Sequence, residues 1–183
     1  AQAAKQLECD IIDINMGCPA PKIVKNGEGS ALMKNPLLIG KIIEAVVNAQ
    51  NKPVTIKIRK GFSPKEINCV EIAKIAQESG ASAVAVHGRT RDQFYAGKAD
   101  WDIIRQVKEA VRIPVIGNGD ITSPQKAKSM IEETNCDAIM IGRAAQGNPF
   151  LIAQTISYLE TGKEPETVTE TEKIKTALEH AKQ

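Results

Sequence analysis

Five short runs rich in branched apolar residues divide this chain: Ile11–Asn15, Val54–Ile58, Ala83–His87, Pro114–Gly117 and Ala138–Ile141. Their near-continuous apolar character suits strands buried on both faces of a parallel sheet. Parallel strands need long crossovers, usually helices, and the stretches between the runs carry helix signals. Asn35-Pro36 opens one, with Leu37, Leu38, Ile42, Ile43, Val46 and Val47 expected on its buried side. Ser63-Pro64-Lys65-Glu66 reads as a capping box with Pro at the first helical position, and Gly80 as a left-handed terminator of that helix. Ile103, Ile104, Val107 and Val111 recur at helical spacing after Trp101, and Ser123-Pro124 caps a further helix. Strand–helix alternation means an α/β fold, either an open doubly wound sheet or a TIM (β/α)8 barrel.

The strand ends decide between the two. Each closes in a polar or glycine-bearing cluster: Asn15 to Cys18, Lys57 and Arg59, His87 to Arg91, Asn118 to Asp120, and Gly142-Arg143. In a barrel all such ends converge on one face, where active sites form. A partial barrel of about five of eight strand–helix units is therefore expected, with the missing strands upstream of Ala1. The segment Ala1 to Leu7 reads as helical, and so does Glu172 to Lys182. Both ends look cut, as in a piece of a longer protein.

With 183 residues, the chain can bury one sizeable core. A net charge of +2 is too small to name a nucleic-acid partner, and 3% aromatic content argues against a stacking surface built from many rings. Cys9, Cys18, Cys69 and Cys136 form no C-x-x-C pair, and there are 2 histidines, so no metal site is expected. No disulfide framework is apparent, and a reduced, cytoplasmic setting is the simpler reading. No run reaches membrane-spanning length.

Cys18 lies just past a strand end in Asn15-Met16-Gly17-Cys18-Pro19. Gly17 permits close ligand approach, Pro19 stiffens the exit, and a thiol held there can donate a proton or attack a substrate. The plainer alternative is a small buried apolar residue. Gly117-Asn118-Gly119-Asp120 and Gly142-Arg143-Ala144-Ala145 follow the last two strands, where barrels commonly bind phosphate. Lys57 and Arg59 share a face of a buried strand, which is costly unless they are paired or meet an anionic ligand. His87 is either a satisfied core histidine or a ligand contact. Arg89 and Arg91 either bind phosphates of a polyanion or lie on a solvated loop.

Taken together, these motifs closely resemble those of the tRNA-dihydrouridine synthases, most like the bacterial B type. The resemblance rests on Asp13 to Pro19, Lys22, Gly29-Ser30-Ala31-Leu32, Val54 to Arg59, His87 to Arg91, Gly117 to Ile121 and Gly142 to Ala145. It covers the chain to about Tyr158. It implies an enzyme that reduces uridine in tRNA with FMN and NADPH. Cys18 would be the general acid, protonating carbon 5 of the uracil while hydride reaches carbon 6. Lys57, His87, Asn118, Gly119, Asp120, Gly142 and Arg143 would bind the cofactor, with His87 also lining the flavin–uracil space. Asn15, Arg89 and Arg91 would meet the substrate. Lys22, Lys25, Lys34 and Lys98 follow strand ends and could face tRNA phosphates. Residues 1–160 would form the partial FMN-binding barrel, and 161–183 the linker and start of a C-terminal helical tRNA-binding domain. Two alternatives stay open. One is another FMN barrel oxidoreductase acting on a small molecule, and the other is a non-catalytic RNA-binding module.

Overall fold

A computed structural model describes residues 9–182, so the helix expected over residues 1–7 lies outside the described residues. The elements run β1 (Ile12–Asn15), α1 (Pro21–Lys25), a 3₁₀ segment (Gly29–Lys34), α2 (Pro36–Asn48), β2 (Val54–Gly61), α3 (Cys69–Glu78), β3 (Ala83–Thr90), α4 (Trp101–Ala110), β4 (Val115–Asn118), α5 (Pro124–Thr134), β5 (Ala138–Met140), a 3₁₀ turn (Arg143–Ala145), α6 (Phe150–Thr161) and α7 (Glu170–His180).

All five strands pair in parallel, in the order β1-β2-β3-β4-β5. That order settles which of the two architectures this is. Right-handed crossovers between consecutive neighbours put every helix on the same side, whereas a doubly wound sheet needs a reversal of strand order. Accordingly α2 packs on α3, α3 on α4, α4 on α5 and α5 on α6. The core lies between this helical row and the sheet. Ile56, Ile58, Val84, Val86 and Val115 meet Ile39, Ile43, Ile72, Ile104, Val107 and Met130 there. The opposite face, by strand alternation, carries Asp13, Asn15, Thr55, Lys57, Arg59, His87 and Asn118. Thr55 Oγ1 donates to Asp13 Oδ1 across it at 2.7 Å. The fold is thus a singly wound, partial barrel-like α/β sheet.

Local signals hold at Asn35, whose Oδ1 accepts from Leu38 N–H, and at Ser123, whose Oγ accepts from Lys126 N–H. Gly80 ends α3 at φ 90°. Elsewhere the structure differs from expectation. The helix expected from Pro64 begins only at Cys69. The chain first folds back on β2: Gly61 bridges Ile67, Phe62 N–H donates to Glu66 O and Asn68 N–H to Lys60 O. Ser63 and Glu66 therefore close a turn, and a Cβ on Gly61 would lie 2.1 Å from Glu66 O. In α2 the buried residues are Ile39, Gly40 and Ile43, while Leu37 is 78% exposed. Leu38, beside it in the first turn, is exposed too, at 40%. Finally, β2 and β3 continue past their expected ends to Gly61 and Thr90.

Candidate active site

The C-terminal ends of the strands open into one cleft of about 670 Å³, lined by Asn15, Cys18, Lys57, Arg59, His87, Tyr95, Asn118, Gly119, Asp120, Gly142 and Arg143 among others. Cys18 sits in a loop without regular structure, half-buried, after β1. Asn15, the last residue of β1, turns its side chain back along the chain. Its Oδ1 accepts from the N–H groups of Gly17 and Cys18, both at 3.0 Å. This is the local turn that Asn makes readily. Asn15 thus shapes the cysteine loop as well as lining the cleft.

Lys57 ends the part of β2 that pairs with β1, opposite Asn15. Burial, and then the Arg59 charge, lower its pKa, with Asp13 opposing. Its ammonium makes no hydrogen bond or ion pair among the described residues, so a cation faces the cleft without a protein acceptor. Arg59 is different, because its guanidinium is spent on the protein. Nε donates to Gly17 O at 2.9 Å, and Nη1 donates to Thr90 O and Phe94 O, both at 2.9 Å. This neutralises nothing, but it satisfies a buried fork of donors and ties the cysteine loop to the end of β3.

His87 is buried, and burial together with the Arg59, Lys57 and Arg89 charges pushes its pKa down to about 3. It is a neutral imidazole at any physiological pH. Its Nε2 lies 3.5 Å from Arg89 Nη1. A guanidinium only donates, so Nε2 is the acceptor and Nδ1 carries the proton. Arg89 itself is buried and does not line the cleft. It pairs with Asp120 Oδ1 at 2.8 Å and donates to Ala96 O at 3.1 Å and to Gly97 O. Arg89 is therefore a brace between β3, the following loop and Asp120, with no donor turned toward an incoming phosphate. Arg91 also lies outside the cleft, against Asp92 Oδ1 at 3.2 Å and the ring of Phe62.

Gly119 and Asp120 follow β4 with positive φ, 122° and 59°. A side chain at Gly119 would meet Ala99 Cβ at 2.7 Å and His87 Cδ2 at 3.0 Å, so only glycine fits. Asp120 holds its unusual backbone through partners. Burial pushes its carboxyl up, but Ala99 N–H and Arg89 outweigh it and keep the pKa below the ordinary carboxylate value. Asn118 donates Nδ2–H to Met140 O at 2.7 Å, joining β4 to β5 at the cleft. Gly142 faces open space, with nothing within 4 Å of where a Cβ would stand. Arg143, half-exposed, leans over the Tyr95 ring at 4.5 Å and approaches Asp120 Oδ1 at 3.7 Å.

Tyr95 was not marked by the sequence, although it lines the cleft and is 45% exposed. The signal was its place in a loop directly after a strand end, next to Phe94, which also stands exposed at φ 53°. Lys22, Lys25, Lys34 and Lys98 are exposed, and Lys34 Nζ rests 3.8 Å over the Phe62 ring. Among the described residues no group of three or more His, Cys, Asp or Glu side chains could hold a metal ion, and no helix is long and apolar enough to cross a membrane.

A family model described as dihydrouridine synthase matches residues 1–183. The chain is 53% identical over 165 residues to tRNA-dihydrouridine synthase B of Proteus vulgaris, covering 88% of this chain and 51% of that protein. It is 50% identical over 183 residues to a probable tRNA-dihydrouridine synthase of Rickettsia conorii, covering 98% and 55%. Against tRNA-dihydrouridine synthase B of Shewanella oneidensis it is 49% identical, covering 98% and 57%. The chain thus spans about half the length of these curated relatives. Among solved structures, a crystal structure of the Amycolatopsis orientalis BexX/CysO complex matches with a TM-score of 0.50 at 18% identity, covering 90% of this chain and 62% of that one. At that identity the likeness concerns the fold alone.

Proposed function

Because the chain belongs to the dihydrouridine synthase family, we propose that its cleft reduces uridine in tRNA to 5,6-dihydrouridine, with FMN as cofactor, NADPH as reductant and Cys18 as proton donor, in the cytoplasm. The observation that carries this reading is the delivery of Cys18, Lys57 and His87 to one cleft by three successive strand ends. The cleft's residues suit a flavin mononucleotide. Lys57 offers an unpaired ammonium to an electron-rich ring system, Gly142 leaves its backbone open to close approach, and Arg143 stands half-exposed beside it for a phosphate. When bound, the flavin supplies the hydride that reaches carbon 6 of the uracil.

The chain's own part is the proton and the geometry. A positioned thiol can pass its proton to carbon as a general acid. Asn15 and Arg59 fix the peptide groups on the N-terminal side of Cys18, so that the thiol approaches carbon 5 from a set direction. Neutral His87 adds no charge to a site already holding Lys57 and Arg59. A uracil must leave the folded tRNA to enter this cleft, and Lys22, Lys25, Lys34 and Lys98, all exposed, would meet tRNA phosphates in this reading. In this reading Arg89 serves by bracing Asp120 rather than by touching RNA. Residues 161–183 serve as the linker and start of a helical tRNA-binding part.

The test is NADPH oxidation by the full-length natural protein, with and without tRNA lacking dihydrouridine, beside Cys18→Ala. We expect stimulation by tRNA, formation of dihydrouridine, and loss of at least about a hundredfold in the variant. Flavin-dependent oxidation indifferent to tRNA and to the substitution would mean a small-molecule reductase. Retained tRNA binding without flavin would mean an RNA-binding module.

A further inference from the structure

We propose that Ser30 is a positioning residue for the Cys18 thiol, a role that rests on the reading of Cys18 as proton donor. The peptide groups before the thiol are held from the β1 side. Met16 N–H donates to Lys57 O at 2.8 Å, Asn15 Oδ1 takes the N–H groups of Gly17 and Cys18, and Arg59 takes Gly17 O. The carbonyl of Cys18 itself is held from a different segment. It accepts two hydrogen bonds from one residue: Ser30 N–H at 3.0 Å and Ser30 Oγ at 2.9 Å.

The packing around this pair is closed. Ser30 is 0% exposed, so its hydroxyl has no water to turn to. Gly29 stands at φ 58°, and a Cβ there would lie 2.8 Å from Cys18 O and 2.9 Å from Cys18 Cβ. The backbone at Gly29 therefore rests directly on the cysteine. Behind it, the 3₁₀ segment Gly29–Lys34 is fixed to the body of the protein: Met33 is 1% exposed in the core, and its carbonyl accepts from Asn68 Nδ2 at 2.8 Å. Cys18 thus bridges two anchored walls, and Ser30 closes the base of the loop from Pro19 to Gly29, which carries exposed Lys22 and Lys25.

Proton delivery to carbon depends steeply on alignment, and a thiol has one rotatable bond to its backbone. Its reach is therefore set by where its peptide groups sit. Removing the Ser30 hydroxyl leaves one of two bonds on the Cys18 carbonyl and a small void beside it. The loop loosens on the side away from β1 while the rest of the cleft is untouched.

The experiment uses the full-length protein and Ser30→Ala, Ser30→Thr and Cys18→Ala. Three rates are read: reduction of bound flavin by NADPH, single-turnover reduction of saturating tRNA, and iodoacetamide labelling of Cys18 in flavin-free protein, followed by peptide mass spectrometry. For Ser30→Ala we expect tRNA reduction to fall about tenfold, flavin reduction to stay within about twofold, and Cys18 labelling to rise about threefold. Ser30→Thr, which keeps the hydroxyl, restores both rates. Unchanged tRNA reduction and labelling in Ser30→Ala overturn the proposal. So does an equal loss in both half-reactions, which would mark a merely structural residue. Full activity in Cys18→Ala would instead overturn the reading on which the proposal rests.

Discussion

Lys57 and His87 meet the same buried surroundings, and burial lowers the pKa of both. The Lys57 ammonium makes no hydrogen bond or ion pair among the described residues, with only the Asp13 charge in its favour, so its substitution acts with two signs. In Lys57→Met, flavin titration should show affinity lowered by about tenfold or more, because a charge-assisted contact is lost. The flavin-free variant should melt at the same temperature or higher, since an unpaired cation no longer has to be desolvated. His87 instead gives up its charge. Its pKa of about 3 lies below the ordinary histidine value of 6.5, so the unfolded chain binds the proton more readily. The stability this neutral histidine supports is complete above pH 6.5 and is lost as pH falls toward about 3. Urea unfolding across that window should show His87→Asn with a shallower pH dependence, by up to about 1.4 kcal/mol per pH unit. Residue identity at strand ends was legible because polar and glycine clusters interrupt apolar runs. Direction was not. His-Gly-Arg-Thr-Arg does not reveal that Arg89 turns inward to Asp120, or that Arg91 leans on Phe62, because both depend on the loop that follows.

Elements lengthen where the β2–β3 pairing continues, with Gly61 opposite Thr90, and buried guanidiniums tie down the loop that follows. Arg59 serves Thr90 O and Phe94 O, and Arg89 serves Ala96 O and Gly97 O. The sequence reading ends β2 at Ile58 and β3 at His87, but the backbone pairing runs on to Gly61 and Thr90. The Ser63 to Glu66 motif misleads for a related reason: capping residues fit turns as well as helices, and only Gly61, against Glu66 O, marks the fold-back. The brace predicts a cost. Arg89 has 3% side-chain exposure and Asp120 33%, so Arg89→Ala takes the nearest cation from a half-enclosed carboxylate and the guanidinium donors from the Ala96 and Gly97 carbonyls. We expect a loss of about 3 kcal/mol in urea unfolding. Arg89→Lys should recover less than half of it, because an ammonium cannot span carbonyls and carboxylate as a planar fork does.

At the scale of the whole molecule, the order β1-β2-β3-β4-β5 makes the sheet a sequence of neighbours, each strand supported by the helix beside it. That architecture was legible because clusters at successive strand ends had to share one face. The faces of the outer helices were less so, since an apolar residue such as Leu37 or Ile174 reads the same whether or not a partner lies against it. Burial is concentrated at the centre. Every residue of β3 is buried, while α7 has no buried residue and shows Ile174 at 60% and Leu178 at 58% exposure. Local opening follows buried contacts and protected hydrogen bonds. Amide hydrogen exchange, read by mass spectrometry at neutral pH, should therefore be slowest in β2 and β3, intermediate in β1 and β5, and fastest in α7. The capping box of Thr169 and Glu172 closes the start of α7 but adds no tertiary contact, so it should slow exchange only in the first turn. Protection in α7 equal to that in β3 would mean that its apolar side is held against a surface this arrangement of strands and helices does not provide.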